Sequence, residues 1–159
     1  MTEAYIGLGG NIGDAASSIK KAYELLSSLE GVSTSILSPI YRSAPVGYEN
    51  QDWFFNAVAL LRVNFDCRTL LHHCLRIEQQ LKRVRKEKWG PRTIDLDVIV
   101  FGDLELNEEG LIVPHPRAHE RAFVLLPMKD LNPNCKIGGW TIAGLCETVK
   151  GQAIERVEV

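Results

Sequence analysis

Two aspartates, Asp95 and Asp97, begin the β-branched segment DLDVIVF. This composition predicts a strand, on which both carboxylates project to one face, roughly 6.5 to 7 Å apart along the chain, and Leu96, Val98 and Val100 to the other. Paired carboxylates beside an apolar sheet repel one another and lose hydration, and a divalent cation offsets both costs. Magnesium suits them because it commonly binds one or two carboxylates together with substrate phosphates. The alternative is a hydrated strand edge where both aspartates pair with lysine or arginine.

A strongly basic segment precedes the aspartates. Its five cations are Arg83, Arg85, Lys86, Lys88 and Arg92. Trp89, among them, offers a flat surface for a base or a guanidinium. Arginine binds phosphate oxygens in a bidentate manner, and its fixed charge stabilises the charge that develops in phosphoryl transfer. A solvated charged loop is the alternative, but the acidic pair just downstream favours binding of a triphosphate.

A histidine and an arginine follow in a proline-stiffened segment. His115 and His119 have the i, i+4 spacing of helical metal ligands, but Pro116 argues against a regular helix and therefore against a zinc site there. His115 and Arg121 could instead close on an anion, although a surface histidine is more often functionally silent.

Aromatic residues adjoin an amide in the segment Trp53-Phe54-Phe55-Asn56. Core packing is the usual role of such rings. A planar heterocycle would also suit them, stacked between Phe54 and Phe123 while Asn56 hydrogen-bonds to its edge.

Hydrophobic periodicity predicts the elements that position these residues. Strands are expected over residues 4–8, 32–41, 54–63 and 95–101, and helices over 15–30, 121–131 with a kink or late start near Pro127, and 141–149. Another helix is capped by Asp66 and has the apolar stripe Leu70, Cys74, Ile77 and Leu81. Residues 83–93 are predicted as an exposed loop. This order indicates an α+β, ferredoxin-like βαββαβ core, with helices on an antiparallel sheet.

The glycines near the N-terminus have a simpler explanation than nucleotide binding. Gly7, Gly9 and Gly13 do not complete a dinucleotide fingerprint, because Ile12 stands where the last glycine of G-x-G-x-x-G belongs. A tight turn after the first strand accounts for them.

Composition limits the function classes. The 159 residues predict a single domain over 1–159, and 45% apolar with 24% charged residues is typical of a globular protein. A net charge of -2 gives no reason to expect nucleic acid or an anionic membrane as partner. No apolar run reaches the length of a bilayer span, and the N-terminus has no basic segment, so we expect a cytoplasmic protein. The four cysteines form no C-x-x-C pair and are interpreted as reduced thiols.

The segment WGPRTIDLD, residues 89–97, resembles the signature R-W-G-P-R-x-[IL]-D-[IL]-D of the hydroxymethyldihydropterin pyrophosphokinases. Lys88 stands where that family usually has arginine. Further similar blocks lie at residues 4–11, 55–57, 83–85 and 113–115.

This resemblance implies a reaction and a nucleotide site. ATP would donate a pyrophosphoryl group to 6-hydroxymethyl-7,8-dihydropterin, and Asp95 and Asp97 would bind two Mg²⁺ ions that bridge the ATP phosphates. The triphosphate would be held by Arg83, Arg92, His115 and Arg121. Glu78 would lie near the nucleotide and the backbone around Val98 would meet adenine. A mobile loop that seals the site would contain Arg83, Arg85 and Trp89.

The same resemblance implies a pterin site and a set of partners. The pterin would lie between Phe54 and Phe123, and its edge would be read by Asn56 and the backbone around Ser43, Ala44 and Val46. ATP and the pterin are then the partners, with no nucleic acid or membrane, and we expect a monomer. The rival hypothesis is a ferredoxin-like RNA-binding module that grips phosphates and bases through the basic segment and Trp89. The neighbouring aspartates and the lack of aromatic RNP-type strands count against it.

Overall fold

The computed structural model describes residues 1–10, 14–44, 53–85 and 94–157, with only the backbone of residues 83–85. Its strands are β1 (Thr2–Gly10), β2 (Val32–Leu37), β3 (Tyr41–Ser43), β4 (Phe54–Val63), β5 (Asp95–Phe101), β6 (Leu106–Glu108), β7 (Leu111–Val113), β8 (Lys136–Ile137), β9 (Trp140–Thr141) and β10 (Ile154–Arg156). Its helices are α1 (Ala15–Ser27), α2 (Cys67–Arg85), α3 (Ala122–Leu131) and α4 (Ile142–Thr148), with a 3₁₀ helix at Ala118–Glu120.

The main sheet is antiparallel and has the order β10-β3-β4-β1-β5, with β2 also paired to β4. The first strand therefore lies between β4 and β5, as in the ferredoxin-like arrangement. This confirms the predicted α+β fold. Strand β5, which carries the aspartates, is the outermost strand on its side of the described sheet.

Helices cover both faces of this sheet. One apolar cluster joins the sheet to α1 and α2 and includes Leu8, Leu26 and Ile77. A second joins the other face to α3 and α4 and includes Val58, Leu125 and Ile142. None of the helices in the described ranges combines the length and hydropathy needed to span a bilayer.

Helix α1 begins and ends at recognisable signals. The Asp14 carboxylate accepts a hydrogen bond from the Ser17 backbone N–H at 3.1 Å, which confirms the expected cap. The helix ends at Ser27, three residues before the predicted end at Glu30. Ser27 and Ser28 hydroxyls donate to the Glu24 carbonyl, and Gly31, with φ of +98°, turns the chain toward β2.

The predicted strand over residues 32–41 is wrong, because the chain forms two strands with a break between them. Pro39 has no N–H for a sheet hydrogen bond, and the Ser38 hydroxyl instead accepts one from the Val58 N–H at 2.9 Å. After this break β3 pairs with the start of β4, which places Ser43 opposite Phe54. The break therefore brings Ser43 to the end of the sheet where the aspartates lie.

Helix α2 confirms its predicted apolar stripe, since Leu70, Cys74, Ile77 and Leu81 are all buried. Burial raises the pKa of the Cys74 thiol to about 12, in keeping with a packed, unreactive cysteine. The helix continues to Arg85, so a loop beginning at residue 83 is wrong. Lysine and arginine are good helix formers, and the sequence from Cys67 to Arg85 contains no glycine or proline that would end the helix earlier.

The chain after β5 was predicted least completely. The helix over 121–131 is present as α3 and starts at Ala122, so it has no late start near Pro127. Proline removes one helical hydrogen bond, and burial of Val124, Leu125 and Met128 offsets that loss. The β6–β7 and β8–β9 hairpins and β10 were not predicted.

Candidate active site

The two aspartates lie on one face at the start of β5, as predicted. Asp95 stands opposite Gly9 of β1 and Asp97 opposite Gly7, and both aspartates are exposed. Leu96 and Val98 point to the other face and are only 5% and 6% exposed. The acidic face and the core face therefore alternate residue by residue.

A β-bulge ends this alternation. Ile6 pairs with Val98 and Tyr5 pairs with Val100, so Ile99 is an extra residue in β5. Val100 packs with Tyr5 in the cluster beneath α3, and the prediction that it shares a face with Leu96 is wrong. Ile99 lines the site beside the aspartates.

Gly7 and Gly9 of β1 form the floor of the site, with the aspartates of β5 on one side and β4 on the other. A Cβ atom at Gly9 would lie 2.4 Å from Asn56 Oδ1, and one at Gly7 would lie 3.3 Å from Ile99 Cδ1. Both residues belong to β1 and neither has positive φ, so the tight turn expected to explain them is wrong; Gly13 lies outside the described residues. A side chain at position 9 would therefore displace the Asn56 amide, whereas one at position 7 would need only a small adjustment of Ile99.

A cleft of about 260 Å³ opens above this floor. It brings together residues from six separate segments of the chain. The predicted site residues that line it are Ser43, Phe54, Asn56, Asp95, Asp97, His115, Arg121 and Phe123. Separate sequence segments that suggested cation, anion and heterocycle binding thus contribute to one cavity.

The titratable groups in the cleft influence one another. Asp97 is exposed as a whole residue, but the walls of the cleft partly desolvate its carboxylate and so raise its pKa; the nearby Asp95 adds to that rise, while His115 and Arg121 oppose it. Burial lowers the pKa of His115, and Arg121 and Arg117 lower it further against the pull of Asp97. His115 Nδ1 accepts a hydrogen bond from the Arg117 N–H at 3.2 Å, so neutral His115 carries its ring proton on Nε2 and can donate it.

The aspartates provide suitable donors for magnesium. Neither forms a salt bridge within the described part of the chain, and the cost of holding Asp97 ionised is one that a cation offsets. The described residues contain no group of three or more His, Cys, Asp or Glu side chains that could hold a metal by themselves. Two carboxylates with positions left for phosphate and water match magnesium better than zinc.

Two aromatic rings, those of Phe54 and Phe123, also line the cleft. Phe54 is 37% exposed, although it begins a strand, and Phe123 follows at the start of α3. The Arg121 guanidinium lies 5.5 Å from the Phe123 ring centroid, so a cation and an aromatic face adjoin. Asn56, opposite Gly9, supplies an amide beside them.

A second cleft of about 250 Å³ adjoins the first. Val98, Leu71 and Ile112 line it, and Asp97 and His115 line both clefts. An elongated ligand could therefore extend past Asp97 from one cleft into the other.

Two predicted site residues line neither of these clefts as the described residues define them. Glu78 lies on α2, where its Oε2 accepts a hydrogen bond from the Leu96 N–H at 2.7 Å. The Ala44 N–H donates to the Ala153 carbonyl at 3.3 Å.

The remaining predicted site residues have no described side chain in this structure. Val46, Trp89 and Arg92 are not among the described residues, and for Arg83 and Arg85 only the helical backbone is given.

Comparisons with known proteins agree with this geometry. The family model described as 7,8-dihydro-6-hydroxymethylpterin-pyrophosphokinase (HPPK) matches residues 5–133. A 2-amino-4-hydroxy-6-hydroxymethyldihydropteridine pyrophosphokinase of Methylorubrum extorquens is 42% identical over 99% of this chain and 100% of its own length. The protein of the same name in Bacillus subtilis is 42% identical over 80% of this chain and 77% of its own length.

A solved structure shares the fold. The Plasmodium falciparum HPPK-DHPS crystal structure superposes with a TM-score of 0.77 at 16% identity, over 99% of this chain and 49% of the other, so this chain spans about half of that protein. The chain belongs to the 7,8-dihydro-6-hydroxymethylpterin-pyrophosphokinase family.

Proposed function

We propose that this chain transfers the pyrophosphoryl group of ATP to 6-hydroxymethyl-7,8-dihydropterin with two Mg²⁺ ions bound by Asp95 and Asp97. ATP-dependent pyrophosphoryl transfer in folate biosynthesis is the activity of its family, which leaves the RNA-binding hypothesis without support. The number of ions and the role of each residue are our proposal. The observation that carries it is the pair of carboxylates on one face of β5, in a cleft shared with His115, Arg121 and two aromatic rings.

In the proposed reaction, the pterin hydroxymethyl oxygen attacks the β-phosphorus of ATP in line. A bond forms between that oxygen and the β-phosphorus, the bond from the β-phosphorus to the AMP oxygen breaks, and the hydroxyl proton passes to solvent water. Bound magnesium would neutralise charge on the phosphates. Positioning and charge stabilisation therefore supply most of the catalysis.

His115 and Arg121 act on the triphosphate. The Nε2–H of neutral His115 and the guanidinium of Arg121 are hydrogen-bond donors in the cleft that Asp97 also lines. Arg83 and Arg92 complete the triphosphate site, and Arg85 and Trp89 contribute to ATP binding, by resemblance to the family signature.

The pterin occupies the part of the cleft that Phe54 and Phe123 line. Phe54 and Phe123 stack on its two faces, and the Asn56 amide reads its edge above the backbone of Gly9. Backbone around Ser43, Ala44 and Val46 provides further polar contacts by the same resemblance.

The nucleotide base occupies the second cleft. Adenine lies against the backbone around Val98, between Leu71 and Ile112, and the triphosphate passes Asp97 into the first cleft. Glu78 lies near the nucleotide. A monomeric, single-domain, cytoplasmic protein remains our prediction.

The test is AMP formation from ATP, Mg²⁺ and the pterin alcohol. We expect activity in the wild type and a loss of about 10³-fold in Asp97→Ala, because a group that stabilises charge in the transition state is removed. Asp103→Ala is the matched control, since Asp103 is exposed just after β5 and outside both clefts. Unchanged activity in Asp97→Ala would rule out the metal-binding role.

A further inference from the structure

We propose that Glu78 is a positioning residue for the two aspartates: its carboxylate holds the backbone of Leu96, and thereby fixes the directions in which Asp95 and Asp97 project. This inference rests on the proposed function of the aspartates. It differs from a role for Glu78 as a ligand of the nucleotide or the metal.

The contact is made at the residue between the aspartates. Glu78 Oε2 accepts the Leu96 N–H at 2.7 Å. Leu96 is joined by peptide bonds to both Asp95 and Asp97, so rotation of its backbone would redirect both carboxylates. One hydrogen bond from outside the sheet therefore constrains the pair.

The position of β5 explains why such a bond is needed. β5 has β1 as its neighbour on one side and no described strand on the other. An outermost strand has amides that no partner strand satisfies, and its ends are free to shift. Glu78 supplies an acceptor that a further strand would otherwise provide, at the point where the strand begins.

Glu78 is itself held in place. It follows Ile77 on α2, and Ile77 and Leu81 are only 4% and 3% exposed in the cluster that also contains Leu96. The carboxylate therefore approaches Leu96 from a helix packed on the same core. An acceptor on a fixed element restricts the strand more than one on a loop.

The surroundings of Glu78 do not favour its negative charge. Burial raises its pKa, and the charges of Asp95 and Asp97 raise it further, while the Leu96 N–H and Lys82 oppose the rise. A side chain required for its charge would be poorly placed there. A neutral side chain of the same length that accepts a hydrogen bond should therefore position Leu96 equally well. Such a substitution separates a positioning role from a role that requires the negative charge.

Three substitutions test the inference, measured by Mg²⁺-dependent binding of a nonhydrolysable ATP analogue. Glu78→Gln keeps an acceptor at the same reach without charge, and should bind within about threefold of the wild type. Glu78→Asp keeps the charge but is one methylene shorter, and Glu78→Ala keeps neither. Both should need about tenfold or more Mg²⁺ for half-maximal binding, because loss of a group that orients a metal ligand commonly costs 10- to 100-fold.

Two controls distinguish a loss of aspartate positioning from general damage to the fold. Gln79→Ala, at the next and exposed position of α2, should bind like the wild type. Pterin binding to each variant without nucleotide, followed by pterin fluorescence, should change less than about twofold. If Glu78→Ala fails to fold, the contrast between Glu78→Gln and Glu78→Asp carries the test.

The inference is overturned if Glu78→Gln loses as much Mg²⁺-dependent binding as Glu78→Asp, or if Glu78→Asp and Glu78→Ala both retain wild-type binding. Because the readout is binding, it does not require turnover. A wild type that binds the analogue with Mg²⁺ but forms no AMP would refute the proposed reaction and leave this inference standing.

Discussion

The two faces of β5 differ in a way that separates stability from function. Toward α2, Leu96 and Val98 are only 5% and 6% exposed within the cluster that joins the sheet to α1 and α2, where they also border the second cleft. Toward the cleft, Asp95 and Asp97 stand opposite glycines of β1, and no described side chain pairs with them. The same strand thus stabilises the fold on one face and, within the described part of the chain, presents two carboxylates without a salt-bridge partner on the other. Substitutions on the α2 face should therefore mainly change stability, and substitutions on the cleft face should mainly change substrate binding.

Leu96→Ala should have the largest effect on stability. Removal of a buried leucine from a closed cluster destabilises a protein by about 2–5 kcal/mol, through lost burial and the cavity left behind. Urea unfolding of the variant should show a lower midpoint with an unchanged slope.

Leu75→Ala is the matched control, because Leu75 is 49% exposed on α2. Its free energy of unfolding should change by less than about 0.5 kcal/mol. Equal losses in the two variants would mean that the α2 face of β5 is not a closed core.

Gly9→Ala should impair the cleft face with little change in the core. The new Cβ would lie 2.4 Å from Asn56 Oδ1, so the amide has to move from the position where we propose that it reads the pterin. Loss of hydrogen bonds worth about 1–2 kcal/mol should raise the KM for the pterin by about tenfold or more, with the KM for ATP changed much less.

Gly7→Ala provides the comparison for this variant. Its Cβ would meet Ile99 Cδ1 at 3.3 Å, the end of a side chain that can adjust. Its effect on the KM for the pterin should be smaller. If Gly7→Ala raises that KM more than Gly9→Ala does, the position of the Asn56 amide does not depend on the absence of a side chain at residue 9.

The features that were predictable from sequence depend on local patterns. The stripe from Leu70 to Leu81 has helical spacing, and DLDVIVF has the alternation of a strand, so both elements and the shared face of the aspartates were predicted. The eight predicted residues that meet in one cleft came from motifs in separate segments, and the family resemblance connected them.

The features that were not predictable depend on contacts distant in sequence. The break between β2 and β3 involves Ser38 and Val58, which are 20 positions apart. The bulge at Ile99 becomes visible only in the pairing of β5 with β1. The reason for glycine at position 9 is a side chain of β4, and the role inferred for Glu78 depends on a bond to Leu96, 18 residues away. Periodicity indicates an element and its faces, but not its register with a neighbour.

The smallest predicted effect concerns the electrostatic cost of the cleft face. The pKa of Asp97 is raised in the folded protein, chiefly by burial, so over the interval above the ordinary aspartate pKa the folded state binds more protons than the unfolded state. The stability that this extra proton binding gives to the folded protein is present at low pH and is lost as pH rises through the folded-state pKa of Asp97. In EDTA, the stability of the wild type relative to Asp97→Asn should therefore increase as pH falls from 7 toward about 4. The change should stay below about 1 kcal/mol, because solvent screens a carboxylate that remains partly exposed.

Addition of Mg²⁺ and the nonhydrolysable ATP analogue should reverse this trend. A bound cation favours the ionised carboxylate, so the wild type should then gain stability over Asp97→Asn as pH rises. Thermal or urea unfolding of both proteins across this pH range, with and without the ligands, measures both slopes. If the metal-free difference has the opposite sign, the cleft does not destabilise the charge on Asp97. If the ligands leave the slope unchanged, Asp97 does not bind the metal.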